Sequence, residues 1–220
     1  MTSKSLRVFI VDDHPLVRER LIAALQQQPD IQVCGQAEDA RSALPAMNEA
    51  APDVAIVDLS LKGSSGLDLI KDIAEQQPRV RVVVLSMHEE VFYAERALRA
   101  GARAYVMKRE STGHIVEAVR QVAEGRLYAN PALLAKLTER MLGRSQSVNL
   151  DPVETLSDRE LDVFRRLGAG RSTREIADEL SVSIKTVQVY CARIKEKFGL
   201  ASASELVREA VRWNEQQQQS

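Results

Sequence analysis

Cysteine is scarce in this sequence, which has only Cys34 and Cys191 among its 220 residues. The two residues lie far apart and fit no metal-ligand spacing, so the sequence argues against a disulfide framework and against a structural zinc site. We expect both side chains to be free thiols in a reducing compartment, which predicts a cytoplasmic protein.

Long apolar runs are also missing, since no segment approaches ~18 uninterrupted apolar residues, and no membrane span is expected. The N-terminal segment MTSKSLRVFIVDD runs directly into a strand pattern and lacks the apolar stretch of a signal peptide. An excess of positive charge is absent too: the formal net charge is −1, so any DNA-binding surface must be local. Hydrophobic residues make up 45% and charged residues 28%, which is typical of globular domains with apolar cores.

The first half of the chain alternates short apolar runs with helical periodicity. The apolar runs predict strands over 7–11, 31–35, 54–57, 80–85 and 104–107. The periodic segments predict helices over 15–28, 39–50, 66–77, 89–100 and 111–124. Apolar strands separated by single helices indicate a parallel sheet covered on both faces. We therefore expect residues 1–126 to form an α/β domain with a doubly wound, five-stranded, flavodoxin-like sheet.

The second half has a different character. A helix over 131–142 and a small, polar, aperiodic stretch over 143–154 predict a connecting segment, 127–154, between two domains. Further on, the pattern predicts four helices over 158–168, 173–180, 184–198 and 203–213, the first two with capping boxes Ser157/Glu160 and Ser172/Glu175. We expect residues 155–215 to form a small all-α domain and the closing NEQQQQS to be disordered.

Acidic residues follow two of the predicted strands. Asp12 and Asp13 come directly after the first, and Asp58 follows the third. Ligands bind at the carboxyl ends of such strands, and clustered carboxylates stay ionised together only around a cation. Oxygen ligands of this kind suit Mg²⁺. For any one of these residues alone, the alternative interpretation is an ordinary helix N-cap.

Two further polar residues end the remaining strands on the same rim. Ser86 follows the fourth strand and Lys108 follows the fifth. Three carboxylates, a metal ion, a hydroxyl and an ammonium around one point would stabilise a phosphoryl group during its transfer to a carboxylate. The sequence therefore predicts a phosphoryl-transfer centre at this rim.

The segments VFIVDDHPLVRERL, AIVDLSLKGSSGLDLI, VVVLSMHEE and GARAYVMK resemble the receiver domain of response regulators, particularly the NarL/FixJ subfamily. The resemblance implies that Asp58 is the phosphoacceptor and that Asp12, Asp13 and the Ser60 backbone carbonyl complete the Mg²⁺ ligands. By the same resemblance Lys108 forms an ion pair with the phosphoryl group.

The resemblance also implies a switch within this domain. Ser86 would be the hydroxyl that moves onto the phosphoryl group, and Tyr105 would be the aromatic side chain that turns inward in response. A partly buried strand aromatic is the structural alternative for Tyr105.

Two helices over 173–180 and 184–198 flank a short turn, which is helix-turn-helix geometry. Polar side chains begin the second helix and cations follow on it, so we expect DNA contacts from Lys185, Thr186, Gln188, Arg193 and Lys195. The alternative is a solvated charged face.

The segment LSDRELDVFRRLGAGRSTREIADELSVSIKTVQVYCARIKEKFGL resembles the LuxR-type DNA-binding domain. That resemblance adds Val189 to the expected DNA contacts and assigns dimerisation to the last helix. Gln188 stands where many relatives have Lys, and a glutamine can read an adenine edge.

Together these features predict a phosphorylation-dependent transcriptional regulator of a bacterial two-component system. Its expected partners are a sensor histidine kinase, a two-part promoter site, a second copy of the chain and, as a candidate, RNA polymerase. We expect no enzyme activity on small molecules. The rival interpretations are an Mg²⁺-dependent phosphohydrolase with Asp58 as nucleophile, which the lack of a cap insertion disfavours, and an unphosphorylated docking module.

Overall fold

The computed structural model describes residues 5–61, 65–87, 91–144 and 152–219. The chain forms two compact units, Met1–Leu142 and Gly143–Ser220. Within the described ranges, none of the helices combines the length and the apolar composition that crossing a lipid bilayer requires.

The first unit contains a parallel sheet with the strand order β2-β1-β3-β4-β5-β6. Its strands are β1 Leu6–Val11, β2 Ile31–Ala37, β3 Val54–Asp58, β4 Arg81–Ser86, β5 Ala104–Met107 and β6 Tyr128–Ala129. The five predicted strands and their doubly wound arrangement are confirmed. The sixth strand was not predicted, because two residues carry no period-2 pattern that a sequence could reveal.

Helices connect and follow these strands close to the predicted positions. They are α1 Pro15–Gln26, α2 Ala40–Ala50, α3 Gly66–Gln76, α4 Val91–Ala100, α5 Thr112–Ala123 and α6 Pro131–Arg144. The last of them runs two residues beyond the predicted end at 142, and the rest of the predicted linker up to 151 lies outside the described residues.

Alternating side chains divide the core into two layers. On one face of the sheet, Val8, Ile56 and Leu85 pack with Leu21 of α1 and Val119 of α5. Successive strand residues point to opposite faces, so the side chains between them face the layer that contains α2, α3 and α4. Residues buried on both faces explain why the strands read as continuous apolar runs.

The strand order places two acidic residues at one edge of the sheet. β1 pairs with β2 on one side and with β3 on the other, so the order of the strands switches direction between β1 and β3. In an open αβ sheet this switch point is where ligands bind, at the carboxyl ends of the strands. Asp12 follows β1 and Asp58 ends β3, so the two residues flank the switch point.

The second unit is helical, as predicted. A 3₁₀ turn, Pro152–Thr155, precedes α7 Asp158–Gly168, α8 Thr173–Glu179, α9 Ile184–Phe198 and α10 Ala203–Gln219. The prediction of a disordered tail is wrong as far as Gln219, because α10 continues through the glutamines, which are good helix formers. Apolar faces of all four helices form the core, with Phe164 at its centre, 5.1 Å from Phe198 and 5.9 Å from Trp213 between ring centroids.

Both predicted capping boxes are present in this unit. Ser157 and Glu160 cap α7 reciprocally, and Ser172 and Glu175 cap α8 in the same way. The first box differs from the second because Glu160 is buried and carries an additional ion pair, in which Lys197 Nζ lies 2.6 Å from Glu160 Oε2. Lys197 also donates to the Thr155 carbonyl oxygen at 2.8 Å, so it joins α9 to the start of the unit.

The ion pair controls the charge of Glu160. Burial alone would raise the pKa of Glu160, but the Lys197 ammonium and the hydrogen bonds from Ser157 outweigh it and hold the pKa below its ordinary value. A carboxyl whose pKa is lower in the folded state stabilises the fold above its unfolded-state pKa, and this contribution disappears as the pH falls through the folded-state pKa.

We expect Glu160→Gln to lower the free energy of unfolding of the second unit by about 1–2 kcal/mol at neutral pH, because a charge-assisted hydrogen bond is replaced by a neutral one. The difference from the wild type should shrink as the pH falls below 4.5, the ordinary value for a glutamate. Urea unfolding followed by the fluorescence of Trp213, the single tryptophan, measures this directly.

Glu175→Gln is the matched control, since it alters a capping box whose glutamate is exposed. Its effect should be smaller. A pH-independent difference between Glu160→Gln and the wild type would contradict the assignment.

Candidate functional site

One ammonium joins two buried carboxylates at the rim. Asp12 and Asp58 are 0% and 1% exposed, and Lys108 Nζ lies 2.7 Å from an Oδ2 atom of each. The three residues meet because β1, β3 and β5 are parallel and end at the same edge. The backbone N–H of Lys108 donates to the Ser86 carbonyl oxygen at 2.8 Å, which continues the pairing of β4 with β5 and fixes the start of the lysine side chain.

Burial and neighbouring charges together shift the pKa values of Asp58 and Lys108. Burial raises the pKa of Asp58; Lys108 and the Ser60 N–H, which donates to Asp58 Oδ1 at 3.2 Å, act in the opposite direction, while Asp12 raises it further. Burial alone would lower the pKa of Lys108, but Asp58 and Asp12 outweigh it, so the pKa is raised and the lysine stays an ammonium. The ionised form of Asp58 is therefore costly unless further positive charge is present.

Asp13 and His14 complete the cluster. One ligand atom from each of Asp12, Asp13, His14 and Asp58 lies within 4.8 Å of the others. His14 Nδ1 is 2.8 Å from Asp13 Oδ1 and 3.2 Å from Asp12 Oδ1. The sequence reasoning missed His14, although its position directly after Asp13 at a strand end was a signal for its proximity.

The three carboxylates of the cluster fit a hard divalent cation. Among the described residues, the three carboxylates of the cluster lie around one ammonium, so negative charge is in excess, and oxygen donors are the ligands that Mg²⁺ prefers. The acidic cluster can therefore hold a metal ion.

Arg18 holds the loop that carries the first two carboxylates. Its Nη1 donates to the Asp12 carbonyl oxygen at 2.5 Å, and its Nε donates to Gln36 Oε1 at 3.1 Å. The side chain thus ties α1 to the ends of β1 and β2. Sequence reasoning did not find this role, because a hydrogen bond to a backbone oxygen has no signature in residue spacing.

Ser86 and Tyr105 lie on the other face of the sheet. Strand alternation puts them opposite the layer of Leu85 and Val106, and both side chains are buried, at 0% and 1% exposure. The two residues occupy adjacent strands, where Val84 pairs with Tyr105. The two predicted switch residues therefore lie on the same face of the sheet, and the Tyr105 ring is buried in this structure.

The backbone beside Asp58 approaches α3 closely. A β-carbon on Gly66 would lie 2.2 Å from the Asp58 carbonyl oxygen and 2.6 Å from Leu59 Cα. Both neighbours are backbone atoms that cannot rotate away. Only a glycine fits at the start of α3, and this contact fixes the end of the strand that carries Asp58.

The second unit presents a different kind of surface. On α9, Val187 and Ile194 are buried, whereas Lys185, Gln188 and Val189 are exposed at the start of the helix. Ser183 caps the helix by accepting from the Thr186 N–H at 3.0 Å. Arg193 is exposed on the same side, while Thr186 and Lys195 are half-buried at its edges. The predicted contact residues therefore share one face or its borders, which is the arrangement of a recognition helix.

Two family models match the chain. The model of the response regulator receiver domain matches residues 8–120, and the model of bacterial regulatory proteins of the luxR family matches residues 154–210. The chain belongs to the NarL/FixJ-type response regulators.

Relatives of this response regulator match over nearly its whole length. It is 34% identical over 212 residues to the oxygen regulatory protein NreC of Staphylococcus epidermidis, a match that covers 94% of this chain and 97% of NreC. It is 33% identical over 211 residues to NreC of Staphylococcus carnosus, with the same shares of the two chains.

Solved structures agree. Salmonella enterica RcsB bound to the promoter P1flhDC in the presence of the phosphomimetic BeF3⁻ has a TM-score of 0.63 and 25% identity, covering 94% of this chain and 98% of that one. A LuxR-family response regulator from Aurantimonas has a TM-score of 0.60 and 29% identity, covering 63% of this chain and 99% of that one. This response regulator is a phosphorylation-dependent, DNA-binding transcriptional regulator.

We expect Gly66→Ala to destabilise this response regulator by about 1–3 kcal/mol, because the added methyl group forces a backbone shift. Gly113→Ala, in the first turn of α5, is the matched control, because its β-carbon would meet the Oγ atom of the N-cap residue Ser111 at an ordinary contact distance of 3.6 Å. An alanine there should be neutral or stabilising by up to about 1 kcal/mol. Chemical denaturation followed by circular dichroism compares the two variants, and equal stabilities would refute the close contact at Gly66.

Proposed function

We propose that Asp58 accepts the phosphoryl group, transferred from a phosphohistidine of a sensor histidine kinase. The bond from phosphorus to the histidine nitrogen breaks, and a bond from phosphorus to an Asp58 carboxylate oxygen forms. The observation that supports this proposal best is the position of Lys108, 2.7 Å from Asp58 Oδ2. An ammonium at this distance can stay close to the carboxylate oxygen when it forms the acyl phosphate. It can then balance the negative charge of the phosphoryl oxygens.

A cation is part of this proposal. Asp12, Asp13 and Asp58 would hold Mg²⁺ together with the Ser60 backbone carbonyl. When bound, Mg²⁺ supplies positive charge against the phosphoryl oxygens. The protein side chains would also stabilise this charge. The Lys108 ammonium would neutralise part of the negative charge on the phosphoryl oxygens, and the burial of Asp12 and Asp58 would keep water from screening these interactions.

The proposed signal passes from Asp58 to the opposite face of the sheet. Ser86 would move onto the phosphoryl group, and the Tyr105 side chain would occupy the inward position. The altered receiver surface would then favour pairing of two copies. The burial of the Tyr105 side chain in this structure supports the proposal that its inward position is stable.

The proposed output is binding to a two-part promoter site by a homodimer. Lys185, Thr186, Gln188 and Val189 would approach base edges and phosphates, with phosphate contacts from Arg193 and Lys195 as well. RNA polymerase is a candidate further partner, and the proposed location is the cytoplasm. The proposed division of the chain is a receiver over 1–126, a connecting segment over 127–154 and a DNA-binding domain over 155–215.

A phosphohydrolase acting on small molecules is the rival function. Its nucleophile would be the same Asp58, but the DNA-binding unit would then have no purpose. We therefore propose that this response regulator is not an enzyme toward external phosphoesters.

Incubation with Mg²⁺ and acetyl phosphate tests the acceptor. We expect intact-mass spectrometry to show one added phosphoryl group on the wild type and none on Asp58→Asn, because the amide cannot form the acyl phosphate. Asp68→Asn, on the exposed side of α3, is the matched control and should be phosphorylated normally. Size-exclusion chromatography of the same samples should show a larger species only where phosphate is incorporated.

An adduct that persists in Asp58→Asn would place the acceptor elsewhere. The absence of any adduct on the wild type would favour a constitutive docking module. Rapid release of phosphate from many phosphoesters would instead support the hydrolase.

The recognition helix gives a second test. We expect Gln188→Ala to relax the preference at one base pair by about 1–3 kcal/mol, because the bidentate contact to an adenine edge is lost. Arg193→Ala should weaken binding to all sequences. Because one phosphate contact is lost, the slope of log affinity against log salt concentration should become shallower by about 1. Binding-site selection and salt titrations on the full chain separate the two effects. An unchanged base preference in Gln188→Ala would rule out readout by this residue.

A further inference from the structure

A histidine stands in the acidic cluster without a role in the proposed phosphoryl transfer. His14 is the N-cap residue of α1, but its side chain makes no capping hydrogen bond. The ring does not pack into the core either, since 59% of the side chain is exposed. The backbone N–H of His14 already donates to Asp12 Oδ1 at 2.8 Å, which positions the residue beside the carboxylates.

The ring nitrogen lies at ligand spacing from the carboxylate oxygens. In an octahedral site with bonds of about 2.1 Å, neighbouring ligand atoms are about 3 Å apart and opposite ones about 4.2 Å apart. His14 Nδ1 is 2.8 Å from Asp13 Oδ1 and 3.2 Å from Asp12 Oδ1. Without a metal ion these contacts are a hydrogen bond to Asp12 and a close polar contact to Asp13, and the same separations are those of neighbouring ligands on one ion. The ligand atom of Asp58 belongs to the same group, within 4.8 Å.

A nitrogen donor changes which cation such a site prefers. Mg²⁺ gains little from imidazole, because it takes oxygen ligands and retains its waters. First-row transition metal ions bind imidazole nitrogen well, in the order Mn²⁺ below Co²⁺ below Ni²⁺. Three carboxylates alone would distinguish these ions from Mg²⁺ less strongly.

We propose that His14 is a fourth side-chain ligand of the cation site and that this site therefore binds Mn²⁺ and Co²⁺ more tightly than Mg²⁺. The inference rests on the proposed use of the acidic cluster as a cation site. It assigns the metal preference of the receiver to the residue that follows Asp13, whereas Asp12, Asp13 and Asp58 supply affinity for either class of ion.

Electron paramagnetic resonance of Mn²⁺ added to the full-length protein tests the proposal. Depletion of the free Mn²⁺ signal gives the affinity for Mn²⁺, competition with Mg²⁺ gives the affinity for Mg²⁺, and spin-echo modulation reports a directly bound nitrogen. We expect nitrogen modulation in the wild type and its loss in His14→Ala, with Mn²⁺ affinity reduced by at least about tenfold. The Mg²⁺ affinity of His14→Ala should stay within about twofold of the wild type.

His114→Ala is the matched control, because His114 lies on α5 beside Glu110 and outside the cluster. It should retain both the modulation and the affinities. Mn²⁺ bound without nitrogen modulation, or equal loss of both cations in His14→Ala, overturns the role of His14 and leaves the magnesium proposal standing. A wild type that binds neither cation, or an Asp12→Asn variant that binds both normally, overturns the cation site itself.

Discussion

The ammonium of Lys108 lies between two carboxylates that are buried at the ends of neighbouring strands, and the arrangement of the rim depends on it. Burying a single carboxylate costs several kcal/mol unless a charge partner is present. Among the described residues of the rim, one ammonium contacts two carboxylates and Asp13 lies close by, so negative charge is in excess. An excess of negative charge favours the binding of further positive charge at the rim. In the proposed phosphoryl transfer, a bound cation would balance this excess of negative charge.

The sheet also separates the proposed phosphoacceptor from the proposed switch residues. By strand alternation, Asp58 is on the same face of the sheet as Val54 and Ile56, which pack against α1 and α5. Ser86 and Tyr105 are on the opposite face. A phosphoryl group on Asp58 would therefore influence the α4 side only across the edge of the sheet, through a residue that ends a strand. Ser86 is such a residue, which explains how a change at one oxygen could reach a surface on the opposite layer.

The sequence was sufficient for the parts that depend on periodicity. Apolar strands, amphipathic helices and capping boxes are local patterns, and the parallel topology then brings Asp12, Asp58 and Lys108 to one rim from positions far apart in the chain. The contacts of His14, Arg18 and Gly66 could not be obtained in this way, because each depends on distances between a side chain or a β-carbon and atoms of another segment. The helical tail of α10 and the short strand β6 were missed for a related reason, since their composition or length gave no decisive periodic signal.

Lys197 shows why charge counts on a recognition helix need the structure. It lies two residues after Lys195 on α9, so its position in the sequence is consistent with a phosphate contact. In the structure, however, its Nζ forms an ion pair with Glu160 and donates to the Thr155 carbonyl oxygen. The face of α9 that is proposed to meet DNA thus keeps few cations, in a chain whose net charge is −1. We expect one copy to bind DNA weakly with so few phosphate contacts, and two linked copies to bind more tightly through effective concentration. In the proposed dimer, this sparse charge would make DNA affinity sensitive to the pairing of two copies, which is the property that control by phosphorylation requires.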